Sequence, residues 1–207
     1  MYKIESFQSG RISTNSYLVI DGDRAIVIDP APEPNELIQK IKTDNLKIDG
    51  ILLTHAHFDH FLGMYDIWEQ IDKNIPLYFS PLEDFLIKDA YLNGALMFNS
   101  ERAAYEGHYN PINEGKLQIG NFKFDAFHTP GHTPGGLCFY CDQNLFSGDA
   151  LFAGTVGRSD WGYSDGEALL ASIEKKLFTL PDETNVLPGH GYSSTIGKEK
   201  ATNRFFQ

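Results

Sequence analysis

The chain has no long apolar run and no recognisable export signal. No hydrophobic stretch approaches the roughly 18 residues that a membrane-spanning helix requires, so we expect no membrane-embedded segment. Residues 1–7 lack the basic start and apolar stretch of a secretory signal, which makes the cytoplasm the expected location. With 207 residues, 42% of them hydrophobic, the composition favours one globular domain over residues 1–207.

Basic residues are also scarce. The chain has 17 Lys and Arg against 28 Asp and Glu, for a formal net charge of −11, and the basic residues form no stripe along the sequence. A negative protein repels the phosphates of a nucleic acid. We therefore expect no nucleic-acid partner and favour a small-molecule substrate.

Cysteine is nearly absent, with Cys138 and Cys141 alone in the chain. They form a C-x-x-C within a strand-like run, where residues three apart point to opposite faces. A redox pair would lie at the start of a helix, and a zinc clip would need a second pair. We assign these cysteines no chemistry.

Hydrophobic periodicity predicts strands that alternate with helices and then a strand-rich region. Apolar or alternating runs predict strands at residues 16–20, 25–29, 50–53, 77–79, 122–127, 137–140, 144–147 and 185–187. Helical patterns begin at Pro34, near Gly63, after Ser80, near Asp165 and near Gly197. This order predicts an α/β protein with two sheets and helices on their outer faces.

One segment follows neither pattern. Residues 89–111 are irregular and rich in aromatic side chains. The segment could be a lid or a pocket wall, or a surface excursion packed on its own side chains. The sequence leaves both interpretations open.

The densest group of polar residues is Thr54-His55-Ala56-His57-Phe58-Asp59-His60. It directly follows the predicted strand at residues 50–53, in what we interpret as a loop, where side chains can converge. Neutral imidazoles and carboxylates are ligands for zinc, manganese and iron. Three of the chain's 7 histidines fall within these residues, so the pattern strongly favours a metal site.

Three more candidate ligands lie in turns that follow predicted strands. His132 and His190 each follow a Pro-Gly pair, and Asp149 follows Ser147-Gly148. Glycine and proline allow sharp turns that can direct a side chain towards a shared point. We expect these residues to complete the site begun by the histidine cluster, with Asp149 able to bridge two metal ions.

The series H-x-H-x-D-H, G-H-T-P-G, G-D and G-H resembles the pattern of the metallo-β-lactamase superfamily over nearly the whole chain. Within that superfamily, residues 152–160 (FAGTVGRSD) and the tail around Thr195 are similar to the small glyoxalase II-like hydrolases. The resemblance implies a four-layer αββα sandwich of two mixed β-sheets with helices on the outer faces.

The resemblance also implies a dinuclear centre, with zinc as the expected metal, two ions per chain, and iron or manganese as possible substitutes. It implies one metal ion bound by His55, His57 and His132, a second bound by Asp59, His60 and His190, and Asp149 between them. Asp59 would also be catalytic, as a hydrogen-bond partner of the attacking hydroxide. The implied reaction is hydrolysis of an acyl thioester such as S-lactoylglutathione by a hydroxide held between the two ions.

Two alternatives stay open. A mononuclear iron persulfide dioxygenase of the same superfamily would use His55, His132 and Asp149 as a facial triad. The chain could also be a binding module that kept the fold without activity. Hydrolysis of β-lactams is disfavoured, because many lactamases have cysteine where this chain has Asp149.

Four residues near these motifs receive weaker hypotheses. Arg158 and Asp160 could orient the metal ligands or meet an anionic substrate, and a structural ion pair is equally compatible with the sequence. Asp29 could support a ligand histidine or simply end a strand. His108 lies outside every ligand pattern, and we expect it at the surface.

Overall fold

The computed structural model describes residues 1–98 and 104–207, and its strands form two six-stranded sheets and a short hairpin. The first sheet contains, in spatial order, β1 (Lys3–Ser9), β2 (Thr14–Asp21), β3 (Arg24–Ile28), β4 (Lys47–Leu52), β5 (Leu77–Phe79) and β6 (Asn110–Pro111). The remaining strands are β7 (Gly115–Ile119), β8 (Phe122–His128), β9 (Leu137–Cys141), β10 (Asn144–Gly148), β11 (Leu151–Phe152), β12 (Thr155–Val156), β13 (Asn185–Pro188) and β14 (Ser194–Thr195). The second sheet has the order β14-β13-β10-β9-β8-β7, and β11 pairs with β12.

Six α-helices connect or follow these strands in the described part of the chain. They are α1 (Asn35–Thr43), α2 (Phe58–Phe61), α3 (Met64–Gln70), α4 (Asp84–Ile87), α5 (Gly166–Lys176) and α6 (Ile196–Thr202). Asp165 caps α5 by accepting a hydrogen bond from the Ala168 amide, and Thr195 caps α6 in the same way through Lys198. None of these helices has the length and apolar character needed to cross a membrane.

Both sheets are mixed, as the family resemblance implies. In the first sheet β3 and β4 are parallel, whereas β1, β2 and β3 are antiparallel. In the second sheet β9 is antiparallel to both β8 and β10, and β10 is parallel to β13. Strands β8, β10 and β13 therefore run in one direction, and their carboxyl ends lie at the same edge of the sheet.

Three layers of buried apolar side chains join the two sheets and the helices into a four-layer sandwich. Alternate residues of β3 separate two layers: Ala25 and Val27 pack towards helices α1 and α3, and Ile26 and Ile28 pack towards the second sheet. The third layer joins the second sheet to α5 and α6. The predicted αββα fold is confirmed.

The two cysteines fit this layering. Cys138 packs in the layer beside α5, and Cys141 packs between the sheets, so they point to opposite faces of β9. Both are buried and free of disulfides.

The sequence-based expectations were wrong or incomplete at several places. The histidine cluster is not entirely a loop, because Asp59 and His60 lie in the single turn of α2. Strand β1 was not predicted, since its side chains are half-buried or exposed and it carries no apolar run. Part of the irregular segment at residues 89–111, namely residues 99–103, lies outside the described residues.

A cavity between the two sheets should lower the stability of the protein. Phe139→Ala would delete a ring that is 0% exposed in this layer. We expect the free energy of unfolding to fall by about 3–5 kcal/mol, measured by urea denaturation followed by circular dichroism. Tyr91→Ala is the control, because Tyr91 is 75% exposed. Equal losses in the two variants would contradict the assigned packing.

Candidate metal centre

The candidate ligands converge at the carboxyl ends of strands from both sheets. The first sheet supplies the cluster that follows β4, and the second sheet supplies a turn after each of β8, β10 and β13. The structure brings together every residue that the sequence assigned to the site: His55, His57, Asp59, His60, His132, Asp149 and His190. Two groups of candidate nitrogen and oxygen atoms, described below, are joined by a third that consists of His55, His60 and Asp149, and within each set all atoms lie no more than 4.8 Å apart.

The first group consists of three histidines. His57 Nδ1 lies 3.1 Å from His55 Nε2 and 2.9 Å from His132 Nε2. Ligand atoms around a tetrahedral zinc ion with bonds of roughly 2.1 Å stand about 3.4 Å apart, which is close to this spacing. The three rings thus surround a space of the size of one metal ion.

In each of these rings the nitrogen that points away from the centre is hydrogen-bonded. The direction of that bond decides whether the nitrogen that faces the centre carries a hydrogen. His132 Nδ1 lies 2.7 Å from the Arg158 carbonyl oxygen, which can only accept, so Nδ1 donates. The Tyr163 hydroxyl donates to the Leu92 carbonyl and therefore accepts from His57 Nε2, at 2.8 Å. By the same logic Thr54 Oγ1 donates to Asp29 and accepts from His55 Nδ1.

These hydrogen bonds leave the central nitrogens of His55, His57 and His132 without hydrogen. Three lone pairs then face one another at close range, which is unfavourable unless a cation lies between them. A proton is a poor candidate for that cation, because burial lowers the pKa of His57 to about 3 and also lowers the pKa of His55 and His132. The donor set therefore fits a metal ion.

The second group combines one carboxylate with two histidines. Asp59 Oδ2 lies 3.3 Å from His60 Nε2 and 3.2 Å from His190 Nε2. Burial favours a higher pKa for Asp59, but the His60 and His190 rings outweigh it and hold the pKa well below its usual range. Thr14 donates a 2.7 Å hydrogen bond to the same oxygen and so fixes the carboxylate.

Asp149 lies between the two groups. Its Oδ1 is 3.3 Å from His60 Nε2, and its Oδ2 is 3.6 Å from both His132 Nε2 and His190 Nε2. Asp149 Oδ1 and His60 Nε2 are buried, and neither has a hydrogen-bond partner within the described residues. Two unpartnered buried polar atoms that face each other are costly unless a further group binds both. A metal ion would satisfy them.

Asp29 supports the centre from behind, as one of the two sequence hypotheses predicted. It accepts hydrogen bonds from the amide and hydroxyl of Thr54, and its Oδ2 lies 2.9 Å from His60 Nδ1. Its backbone adopts a left-handed conformation, with φ of 50°, that few residues other than glycine adopt. One carboxylate thus orients His60 directly and His55 through Thr54.

At two positions close to the ligands, only glycine leaves enough room. A Cβ atom at Gly189 would collide with Asp149 Oδ1 and His60 Cε1, and one at Gly148 would collide with the Thr54 side chain. Gly148 also has a positive φ of 48°. Both glycines are therefore required by the approach of the turns to the site.

A cleft of about 670 Å³ opens above the candidate ligands. Its floor includes His57, Asp59, His132, Asp149 and His190. Its walls are largely apolar and include Ile12, Phe58, Met97, Phe98, Phe152 and Trp161. The portion of the irregular segment before residue 99 thus forms a pocket wall.

Arg158 reaches the same cleft. Its guanidinium makes two hydrogen bonds to Asp160, at 2.8 and 3.0 Å, and lies 4.8 Å from the centre of the Trp161 ring. The predicted ion pair is present, and the contact with a candidate ligand runs through the Arg158 backbone carbonyl. His108 is exposed, as expected.

Sequence reasoning missed Tyr163, Thr14 and Trp161. Tyr163 and Trp161 contact His57 from more than 100 positions away along the chain, and nothing in the sequence around them resembles a ligand motif. Thr14 begins a strand that was predicted only from residue 16 onwards. Contacts of this kind require the fold.

Comparisons with known proteins agree with this geometry. The sequence model described as metallo-beta-lactamase superfamily matches residues 9–190. The probable metallo-hydrolase YqgX of Bacillus subtilis is 40% identical over 95% of this chain and 93% of its own length. The hydroxyacylglutathione hydrolase GloC of Haemophilus influenzae is 34% identical, with 92% of each chain covered.

Solved structures show the same fold. The BLEG-1 B3 metallo-beta-lactamase superposes with a TM-score of 0.92 at 37% identity, covering 99% of this chain and 100% of the other. TTHA1623, in a di-iron-bound form, gives 0.87 at 38% identity over 97% and 99%. ETHE1 from Myxococcus xanthus is more distant, with 0.77 at 26% identity over 99% and 83%.

Asp29→Asn tests the supporting role of this carboxylate. The amide group would place a donor where Asp29 now accepts, either from Thr54 or from His60. We expect zinc affinity to fall by about 10–100-fold, measured by competition with a chromophoric chelator. Asp21→Asn, at the exposed end of β2, is the matched control and should leave the affinity unchanged. Equal affinities in both variants would contradict the role of Asp29.

Proposed function

We propose that the substrate of this chain, which belongs to the metallo-beta-lactamase superfamily, is a small acyl thioester. Its similarity to a probable metallo-hydrolase supports the activity of a metal-dependent hydrolase. We assign His55, His57 and His132 to one metal ion and Asp59, His60 and His190 to a second, with Asp149 bound to both. The metal assignment rests on the lone pairs of His55, His57 and His132, which face one another and repel unless a cation lies between them.

We propose zinc as the metal, with two ions per chain. The histidine and carboxylate ligands suit zinc, and they also suit iron or manganese. The di-iron-bound form of TTHA1623 shows that iron binds in a protein similar to this one. Seven ligands are enough for two ions, and their chemistry is compatible with more than one metal.

When bound by these residues, two such ions would lower the pKa of bound water enough to provide a hydroxide nucleophile at neutral pH and would polarise the carbonyl group of the substrate. Asp59 would accept a hydrogen bond from that nucleophile, and Thr14 holds the Asp59 carboxylate for this role. The floor of the cleft presents Asp59 and His190 side by side to the substrate. A departing thiolate has a pKa near 8.5 and needs little protonation, so a separate general acid is not required.

The cleft suits a thioester with an apolar portion. Aromatic and aliphatic side chains dominate its described walls, and the cation among them, Arg158, is already paired with Asp160. S-lactoylglutathione is the leading candidate, because GloC is named for a hydroxyacylglutathione. The apolar walls would then contact the acyl group or the methylene portions of the thiol.

A persulfide dioxygenase is the second candidate. It would need one iron ion held by His55, His132 and Asp149, and ETHE1 is a structural neighbour of this chain. Both families keep the full histidine cluster, so the ligand set does not separate them, and the higher identity to a hydroxyacylglutathione hydrolase (34%) than to ETHE1 (26%) favours the hydrolase. Uptake of oxygen in the presence of a persulfide would favour the dioxygenase instead.

The test combines metal content with turnover. In His57→Ala and Asp59→Ala we expect the loss of about one metal ion per chain and of roughly 100-fold or more in kcat/KM for an acyl thioester, because each variant removes a proposed ligand. His108→Ala is the matched control, since His108 is exposed and outside the site. The substrates are S-lactoylglutathione, an acyl thioester of a neutral thiol, and a β-lactam.

Two outcomes would contradict the proposal. Unchanged turnover in both ligand variants would refute the assigned site. One iron ion per chain, together with oxygen consumption and without hydrolysis, would replace the hydrolase by the dioxygenase.

The apolar wall makes a separate prediction about selectivity. Phe152 is half-buried beside the His190 ring, at 6.3 Å between centroids. Phe152→Ala should raise KM about tenfold for a phenylacetyl thioester and leave KM for the acetyl ester of the same thiol nearly unchanged, because a buried aromatic contact contributes about 1.5–3 kcal/mol. Tyr192→Ala, 88% exposed, is the control. Equal effects on both esters would place the acyl group elsewhere.

A further inference from the structure

Glu83 is a buried carboxylate that the reaction described above does not use. It is 1% exposed, and no Lys, Arg or His lies within ion-pair distance of it among the described residues. Burial raises the pKa of Glu83 to about 7 even though hydrogen bonds to the carboxylate oppose the rise. Burying a carboxylate without a cationic partner is costly, so its presence here needs an explanation.

The carboxylate joins two loops that carry proposed ligands. Its Oε2 accepts a 2.8 Å hydrogen bond from the amide of Ala56, which lies between His55 and His57. Its Oε1 accepts a 2.6 Å hydrogen bond from the amide of Gly135, three residues after His132. Glu83 itself ends the 3-10 turn after β5 and belongs to neither loop.

The packing around Gly135 shows how closely the carboxylate is held. A Cβ atom at this position would lie 2.8 Å from both Cγ and Oε1 of Glu83. Such a distance is shorter than atoms in folded proteins tolerate, so the loop or Glu83 would have to move. Glycine at position 135 therefore permits the contact between the loop and Glu83.

We propose that Glu83 is a positioning residue for the first metal site, holding the loop of His55 and His57 at a fixed distance from the loop of His132. This inference rests on the metal assignment made under the proposed function. Glu83 touches no proposed ligand side chain and acts through the backbone. Its loss should therefore weaken the three-histidine site selectively and leave the site of Asp59, His60 and His190 largely intact.

Glu83→Gln is the direct test, because glutamine keeps the size but offers a single acceptor oxygen for two amides. Glu199→Gln is the matched control. Glu199 is equally buried and accepts hydrogen bonds from the Gly154 amide and Asn203 Nδ2, at 2.8 and 2.9 Å, but its contacts lie in other loops. Both variants lose an acceptor from a buried carboxylate.

Two variants that each keep one metal site intact show which site is weakened by Glu83→Gln. His190→Ala weakens the second site and leaves the first, and His57→Ala does the reverse. Zinc affinity is measured by chelator competition, and cobalt absorption reports the ligand geometry. We expect Glu83→Gln to lower zinc affinity about 10–100-fold in the His190→Ala background and less than threefold in the His57→Ala background. Glu199→Gln should change neither affinity, even with a similar loss of stability towards urea.

Equal weakening of both sites, or unchanged affinities together with a stability loss like that of Glu199→Gln, would overturn the proposal. If Glu83→Gln does not fold, Gly135→Ala keeps the carboxylate but crowds it, and should lower the same affinity. Unchanged affinity in that variant would equally overturn it. If the unsubstituted protein binds two zinc ions but hydrolyses no thioester, the proposed function fails and the role of Glu83 stands.

Discussion

Three imidazole lone pairs face one another at the centre of the first histidine group, and segments from both sheets hold them there. The outer nitrogens of His55, His57 and His132 donate to oxygen acceptors, so the inner nitrogens carry no hydrogen. Burial lowers the pKa of each ring, so a proton is a poor candidate for the cation between the lone pairs. These three rings therefore form a donor set that fits a metal cation.

The second half of the centre differs from the first in charge. Burial favours the neutral form of His60, but the carboxylates Asp59, Asp149 and Asp29 outweigh it and hold its pKa well above the usual range. Burial likewise works against the charge on Asp149, and the His60 ring holds the pKa of that carboxyl low. The second group thus concentrates negative charge around His60, and a metal ion in place of the His60 proton would balance that charge, whereas the first group has neutral rings; Asp149 is the element common to both.

The strands that bring these groups together could be predicted in part from the sequence. The apolar runs of β2, β3 and β10 were visible, as was the position of each ligand after a strand. Strand β1 was not predicted, because an edge strand with half-buried side chains has no apolar run. The turn of α2 was read as a loop, since four residues are too few for a helical period to emerge.

The candidate ligands could be predicted from motif and resemblance, whereas their supporting contacts could not. Tyr163, Thr14 and Glu83 act through side-chain or backbone contacts between segments far apart in the chain. Glu83 was visible only as part of a helix start after Ser80. Its role depends on two amide groups whose approach is created by the packing of both sheets, and no local pattern in the sequence encodes that approach.

Anomalous diffraction from crystals of the zinc-loaded protein tests directly whether two metal ions share Asp149. We expect two anomalous peaks, one among His55, His57 and His132 and the other among Asp59, His60 and His190, with Asp149 in contact with both. A single peak bound by His55, His132 and Asp149, with the second group empty at saturating metal, would contradict this assignment.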